Sequence, residues 1–160
     1  MTSIGGRLAV GLTMVLALLL LGQWLWLTLT IDRLIEKQVI SHLQEETESL
    51  LANLSMDTNG QLILENSQLS SNYLRAFSGL YFSISSGGNR VFSRSLWDFN
   101  LDAPTIDTGE RSVFYLDGPQ GQPLLVVAAG YFKQGHQITV TVAEDIAWML
   151  EDKRLFQFVF

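Results

Sequence analysis

The first strong pattern in the chain is an uncharged, apolar run near the amino terminus. Residues 8–31 form 24 consecutive positions without a charged side chain, and ten of them are leucine. At a rise of about 1.5 Å per residue, such a helix measures about 36 Å, which exceeds the roughly 30 Å hydrocarbon core of a bilayer. A cleaved signal peptide has a shorter apolar region of about 7 to 15 residues followed by small residues. The run therefore predicts an uncleaved transmembrane helix.

Helical spacing of apolar residues continues beyond this run. They recur on one side of the chain, while Glu46 lies on the flank of their stripe: Ile35, Val39, Leu43, Leu50 and Leu54. Neither glycine nor proline occurs between Gln23 and Gly60. The pattern predicts one long helix that ends near Leu54 and packs its stripe against a sheet, against a second copy of the chain, or both.

The period then changes to that of β-strands. Runs rich in β-branched and aromatic residues are separated by glycine and asparagine turns: Gln61–Glu65, Leu80–Ser85, Arg90–Ser95, Ser112–Leu116, Pro123–Ala129 and Gln137–Val142. The last three predict an antiparallel meander, and the alternation in "ITVTV" predicts one solvated face. Residues 143–160 return to a helical composition. The chain is therefore predicted to be α+β, with a PAS-like antiparallel sheet and an exit helix.

These patterns set the expected domain boundaries and orientation. We expect a cytoplasmic tail at residues 1–7, the transmembrane helix at 8–31, an extracytoplasmic sensor domain at 32–152 and the start of a second transmembrane helix at 153–160. The tail contains Arg7 and no acidic residue, which favours a cytoplasmic amino terminus. The final "LFQFVF" is too short to span a bilayer, and a helix that packs its aromatic residues on the domain is the alternative.

Composition narrows the function classes. The net charge of −6 argues against a nucleic-acid partner, and the absence of cysteine excludes disulfides and thiol chemistry. The chain has no phosphate-binding glycine loop and no hydrolase triad, so we assign no catalytic, cofactor-binding or metal-binding residue. Three acidic pairs have ligands suited to a divalent cation, but we favour solvated surface carboxylates: Asp98 with Asp102, Glu144 with Asp145, and Glu151 with Asp152.

Several short motifs, taken in order, resemble one protein family. After the leucine-rich anchor and long helix come "FSGLYFSI", "SRSLWD", "GPQGQPLLVV" and "VAED". This series resembles the extracytoplasmic sensor region of bacterial two-component sensor histidine kinases whose sensor domain is like that of the magnesium-responsive PhoQ kinases. The resemblance covers nearly the whole chain. One departure is Ala76, where many relatives have proline.

The resemblance implies a function and partners that the motifs alone do not. It implies a membrane-anchored signal-input region of a sensor histidine kinase in the bacterial inner membrane, working as a homodimer and signalling to a response regulator. ATP and magnesium are expected only for the kinase part, whose motifs are absent from this chain. The alternative is a stand-alone, membrane-anchored binding or assembly module without kinase activity.

The motif "SRSLWD" suggests a signal latch. We expect Leu96 and Trp97 to close the end of the core, since they follow directly on a predicted strand. Arg94 and Asp98 are then expected to pair with one another or with Glu144 and Asp145, the acidic residues at the start of the exit helix. This arrangement would connect the sheet to the exit helix.

Overall fold

The computed structural model describes residues 4–57, 61–65 and 69–150. The chain divides into two compact units, Met1–Val39 and Ile40–Phe160. Helix α1 (Ile4–Ala52) begins in the first unit and ends in the second, which confirms the long helix and places its end two residues before Leu54. The predicted start of a second transmembrane helix at 153–160, together with Glu151 and Asp152, lies outside the described residues.

The first unit contains the apolar part of α1. Among the described residues, Leu8–Leu27 is the segment long and apolar enough to cross a membrane, and none of it is buried within the chain. The Thr13 hydroxyl donates a hydrogen bond to the Ala9 carbonyl at 2.9 Å. A polar group satisfied inside its own helix is tolerated in hydrocarbon, because no water is needed there. The segment is therefore compatible with a membrane anchor.

The second unit is built on a five-stranded antiparallel sheet, which confirms the α+β class. Its strands occur in the spatial order β4-β3-β7-β6-β5, and their bounds are β3 (Leu80–Ser86), β4 (Asn89–Phe92), β5 (Arg111–Asp117), β6 (Pro123–Lys133) and β7 (His136–Asp145). The predicted meander is present as β5, β6 and β7. Strand β7 lies between β6 and β3, so the last strand of the chain closes the sheet.

Two shorter strands form a separate sheet. Strands β1 (Leu54–Met56) and β2 (Leu62–Leu64) pair antiparallel with one another. The prediction of one sheet that includes residues 61–65 is therefore wrong. Leu54 opens β1 as an extended residue, and this early end of α1 supplies the partner strand that the sequence pattern did not reveal.

The predicted exit helix starts later than expected. Strand β7 continues through Glu144 to Asp145, and residues 147–150 form a helical turn. The Asp145 carboxylate accepts a hydrogen bond from the Ala147 N–H at 2.8 Å. An aspartate in this position caps the amino terminus of a helix and satisfies one of its free N–H groups. Asp145 therefore marks the change from strand to helix.

The two sides of the five-stranded sheet are covered by different parts of the chain. We call one side the helix face; Tyr131 on this face hydrogen-bonds to Thr47 of α1 at 3.0 Å. We call the other side the loop face; there Leu96 and Leu101 pack with sheet residues Tyr81, Leu124, Val126 and Ala143 in one buried cluster. Helix residues Leu43 and Leu50 are 0% and 1% exposed, so this part of the predicted stripe is buried within the single chain.

The prediction that "ITVTV" has one solvated face is wrong. Thr139 and Thr141 alternate with apolar residues, but they are only 3% and 2% exposed. The Thr139 hydroxyl oxygen accepts a hydrogen bond from the Ile106 N–H at 3.2 Å. Threonine is polar enough to suggest a solvated face, and this bond compensates for its burial beneath a loop.

Candidate functional site at the helix–sheet junction

The end of α1 is tied to the sheet by a lysine from the β6–β7 hairpin. The Lys133 ammonium group donates hydrogen bonds of 2.6 Å to the carbonyl oxygens of Leu51 and Leu54. The last carbonyls of a helix have no partner within the helix and carry partial negative charge, so a cation is stabilising there. We define the helix–sheet junction as this contact of Lys133 together with the residues Glu46, Thr47 and Glu144, which are described below.

A threonine on α1 makes the second contact of the junction. The Thr47 hydroxyl donates to the Gln44 carbonyl at 2.7 Å and lies 3.0 Å from the Tyr131 hydroxyl. Thr47 is buried, so both hydroxyl groups gain a partner where water is largely excluded. Tyr131 and Lys133 are two residues apart on β6, and their side chains therefore point to the same face of the sheet.

The third contact joins α1 to the short 3-10 helix Ser71–Leu74. The Tyr73 hydroxyl donates a hydrogen bond to the Glu46 carboxylate at 2.8 Å. The Tyr73 ring is buried and packs edge-on against Phe82 of β3, with 4.9 Å between ring centroids. Burial, followed by the negative charges of Glu46 and Glu144, raises the pKa of Tyr73. Tyr73 therefore stays protonated and acts as the donor.

Glu144 adds an unusual carboxylate to this region. Its Oε2 atom is buried and has no hydrogen-bond partner among the described residues. Burial raises the pKa of Glu144; His42 acts against this shift, while Glu46 and Asp145 increase it. Because an unpaired buried carboxylate is costly when charged, Glu144 is held in a state that favours protonation.

The structure corrects the predicted role of Trp97 as a core plug. Leu96 is buried in the loop-face cluster, as expected, but Trp97 is 66% exposed. Trp97 also has a φ of +58°, a conformation that non-glycine residues rarely adopt. The turn therefore buries Leu96 in the core and directs Trp97, the next residue, to the surface.

The serines of "SRSLWD" hold this turn in place. The Ser95 hydroxyl donates to the Leu80 carbonyl at 2.7 Å, and its oxygen lies 2.8 Å from the Ser93 hydroxyl oxygen. The Ser93 hydroxyl in turn accepts from the Phe82 N–H at 3.1 Å. Both serines are buried, so their bonds replace those they would make to water. Sequence reasoning emphasised the charged residue between them and missed this role.

The described residues do not bring the predicted charged partners together. Arg94 and Asp98 line two different cavities, of about 260 and 140 Å³. Within residues 69–150, neither forms an ion pair with Glu144 or Asp145; the ion pair found there joins Arg90 to Asp102 at 3.7 Å. The signalling role of Arg94, Trp97, Asp98, Glu144 and Asp145 stays a prediction.

The part of the chain that the structure describes offers no cluster for a metal ion. It contains no group of three or more histidine, aspartate or glutamate side chains placed to hold one. The junction combines a cation on a helix end, a tyrosine–carboxylate bond and a buried acid. Such an arrangement can hold a helix in place and respond to changes in the sheet.

A comparison with curated proteins gives a direct relative. The chain is 34% identical over 154 residues, or 94% of its length, to "Sensor protein kinase CarS" of Pseudomonas aeruginosa. The chain is related to a sensor protein kinase. This match confirms the resemblance to sensor histidine kinases, and the chain spans 33% of that relative's length. No family model matches the chain, and no solved structure matches it.

One signal in the sequence of this chain indicates the helix–sheet junction. Glu46 interrupts the apolar side of an otherwise regular helix, and a charge at such a position needs a partner. The structure supplies that partner as Tyr73. Lys133 carried no comparable signal, because a lysine near a hairpin turn is normally solvated.

Proposed function

We propose that this chain is the membrane-anchored, extracytoplasmic signal-input portion of a two-component sensor histidine kinase in a bacterial inner membrane. The amino terminus lies in the cytoplasm, and the sheet domain lies outside it. The observation that carries this proposal is the helix–sheet junction, where Lys133, Tyr131 and Tyr73 all contact the end of α1. The similarity to a sensor protein kinase over 94% of the chain supports it.

The junction suggests how a signal leaves the sheet. Helix α1 contains the apolar segment Leu8–Leu27 and ends at contacts made by β6 and by Ser71–Leu74. A change in the sheet that favours a different position of Lys133 or Tyr73 changes the stability of these contacts. A signal needs only different affinities for two states of the protein, typically a few kcal/mol. The predicted latch at Arg94, Trp97 and Asp98 is a second route in this proposal.

The proposal extends to partners outside the chain. We propose that the anchor lies in the lipid bilayer, that two copies form a homodimer, and that the output reaches a response regulator through a kinase part that uses ATP and magnesium. The related sensor protein kinase supports this assignment. Because Leu43 and Leu50 are buried within one chain, we place the dimer contact elsewhere than on these two residues.

A reporter experiment tests the membrane placement. Alkaline phosphatase, which is active only outside the cytoplasm, is fused after Ser85, and a cytoplasm-specific fluorescent protein is fused at the same position. We expect activity from the first fusion and none from the second. Fusions after Gly5, in the predicted cytoplasmic tail, serve as controls and should give the opposite pattern. The same pattern at both positions would contradict the proposed orientation.

A chimera tests the signalling function. The aligned third of the P. aeruginosa sensor protein kinase is replaced by this chain, and autophosphorylation is measured in membrane vesicles. We expect the chimera to autophosphorylate and its level to change when residues 40–150 are deleted in frame. An output independent of these residues would favour the alternative, a stand-alone binding or assembly module.

A further inference from the structure

The loop face contains a polar cavity at the end remote from its buried cluster. The cavity has a volume of about 310 Å³ and lies between the β3–β4 hairpin, residues 103–105 and the first half of β7. This volume falls at the lower end of the range of about 300 to 1,000 Å³ that is usual for small-molecule sites. It is separate from the helix–sheet junction, which lies on the opposite face.

Three paired residues form a polar row on this face. Arg90 of β4 lies opposite Ser85 of β3, and Ser85 lies opposite Thr139 of β7. Directly paired residues in an antiparallel sheet have side chains on the same face, with Cβ atoms about 5 Å apart. The three side chains all line the cavity. A cation and two hydroxyl groups are therefore placed side by side by the register of the sheet.

A glycine allows a loop to form the wall of the cavity. Gly130 of β6 is the next residue in the row, because it pairs with Thr139. A Cβ atom there would overlap the Asp107 carbonyl oxygen. The chain near residue 106 therefore crosses the sheet at a spot where only glycine fits, and Ile106 donates its N–H to Thr139. These contacts fix the loop beside the polar row.

The lining has one charged residue and otherwise small or neutral groups. The neutral polar residues provide hydroxyl and amide groups, and they are Ser85, Ser86, Asn89, Thr105, Gln137 and Thr139. The Ser85 hydroxyl has no hydrogen bond to another described group. The Thr139 hydroxyl oxygen accepts from Ile106 and so still has its own hydrogen to donate. The lining can therefore donate several hydrogen bonds to a polar guest.

Arg90 is held in position by contacts that use only part of its hydrogen-bond donors. Its Nη1 atom donates to the Asn100 amide oxygen at 2.8 Å and lies 3.7 Å from an Asp102 carboxylate oxygen. Both contacts use the same nitrogen, whereas a guanidinium group has five N–H donors in a planar fork. The Arg90 and Asp102 side chains are 42% and 77% exposed, and such a surface pair is worth only about 0 to 1 kcal/mol. The remaining donors suit the two oxygens of a carboxylate.

We propose that this cavity binds a small polyhydroxylated carboxylate, with the carboxylate on Arg90 and its hydroxyl groups on Ser85 and Thr139. The cation selects the acid group, and the polar neighbours select a hydroxylated rather than an apolar body. Binding at this site is independent of the proposed signalling role, because it requires neither a kinase nor a second copy of the chain.

Gluconate and sorbitol form a matched pair of probes. Both have a six-carbon hydroxylated chain, but only gluconate carries a carboxylate. Isothermal titration calorimetry on the full chain in lipid nanodiscs should detect gluconate and should show sorbitol binding at least about tenfold more weakly. Absence of gluconate binding, or equal affinity for the two probes, would overturn the proposal.

Substitutions locate the site. Arg90→Gln should weaken gluconate binding by at least about tenfold, whereas Arg94→Gln, on an exposed arginine outside the cavity, should bind like the wild type. Ser85→Ala should weaken binding by about two- to tenfold and decides the matter if Arg90→Gln fails to fold, as judged by circular dichroism. Unchanged binding by a folded Arg90→Gln variant, or an equal loss in Arg94→Gln, would contradict the assignment.

Discussion

The two faces of β7 differ in what covers them, although the strand alternates regularly. On the helix face, apolar residues such as Val140 and Val142 are buried, and Glu144 ends the row beside the junction. On the loop face, Thr139 and Thr141 are also buried, and Thr139 bonds to the loop at Ile106 and borders a polar cavity. The comparison shows that alternation in the sequence indicates the polarity of each face but does not determine whether that face is exposed to solvent. A helix packs on one face, and the other face contains a cavity large enough for a small molecule.

The largest expected effect is on the helix face. Leu50→Ala removes a side chain that is 1% exposed, and truncation of a buried leucine costs about 2 to 5 kcal/mol. We expect this loss in thermal or chemical unfolding of the full chain in detergent. Leu74→Ala is the control, because Leu74 is 47% exposed. Equal losses for the two variants would show that α1 is not packed on the sheet as described.

The loop face should be sensitive to added volume. A methyl group in Gly130→Ala meets the backbone carbonyl oxygens of Asp107 and Ile106, which cannot rotate away. Overpacking of this kind costs about 1 to 3 kcal/mol, and we expect unfolding at correspondingly lower denaturant concentration. Ser112→Ala, at a half-buried position in β5, serves as a control on the same sheet. A Gly130→Ala variant as stable as the wild type would contradict the close crossing of the loop.

The acid at the end of the helix face should make stability depend on pH. The pKa of Glu144 is raised in the folded protein, so its contribution is fully present below the ordinary carboxyl pKa of about 4.3 and is lost as pH rises through the higher folded value. Glutamine does not ionise, so the Glu144→Gln variant does not lose this stability as the pH rises. Its Tm should therefore exceed that of the wild type at pH 7, and the difference should shrink as the pH is lowered toward 4.

The control for this pH series is Glu48→Gln, which changes an exposed residue on α1. Its Tm should follow that of the wild type at each pH. A Glu144→Gln variant that is less stable than the wild type at pH 7 would show that the carboxylate is favourably paired when charged.

The smallest effect is expected at Trp97. Its side chain is 66% exposed and its φ is +58°, so Trp97→Gly removes little packing and relieves an unfavourable backbone conformation. We expect a change in unfolding free energy of no more than about 1 kcal/mol, measured by chemical denaturation. A loss of several kcal/mol would restore the idea that Trp97 closes the core.

The sequence predicts the elements of this fold better than their contacts. The apolar run, the long helix and the β5–β6–β7 meander follow from periodicity and turn residues alone. Burial of Thr139 does not, because it depends on a loop that is distant in sequence and docks where Gly130 permits. Periodicity describes one element at a time, whereas docking depends on two.

The candidate site shows the same limit. Glu46 stands out in the sequence as a charge on an apolar flank, but its partner Tyr73 lies 27 positions away in a short 3-10 helix that no periodicity marks. Lys133 acts on carbonyl oxygens of the backbone, which have no residue-specific signal in a sequence. For Arg94 the sequence drew attention to charge, whereas the flanking serines make the buried bonds.

Autophosphorylation of the chimera carrying Lys133→Met tests whether the helix–sheet junction carries the signal from the sheet to α1. This variant keeps most of the side-chain volume but loses the ammonium group's two bonds, one to Leu51 at the end of α1 and one to Leu54 at the start of β1. Arg111→Met, on exposed β5, removes the same charge away from the junction. We expect an altered kinase output for Lys133→Met and an unchanged output for Arg111→Met, with both chimeras folded and present at equal levels in the membrane. Equal outputs from the unmodified chimera and the Lys133→Met chimera would contradict it.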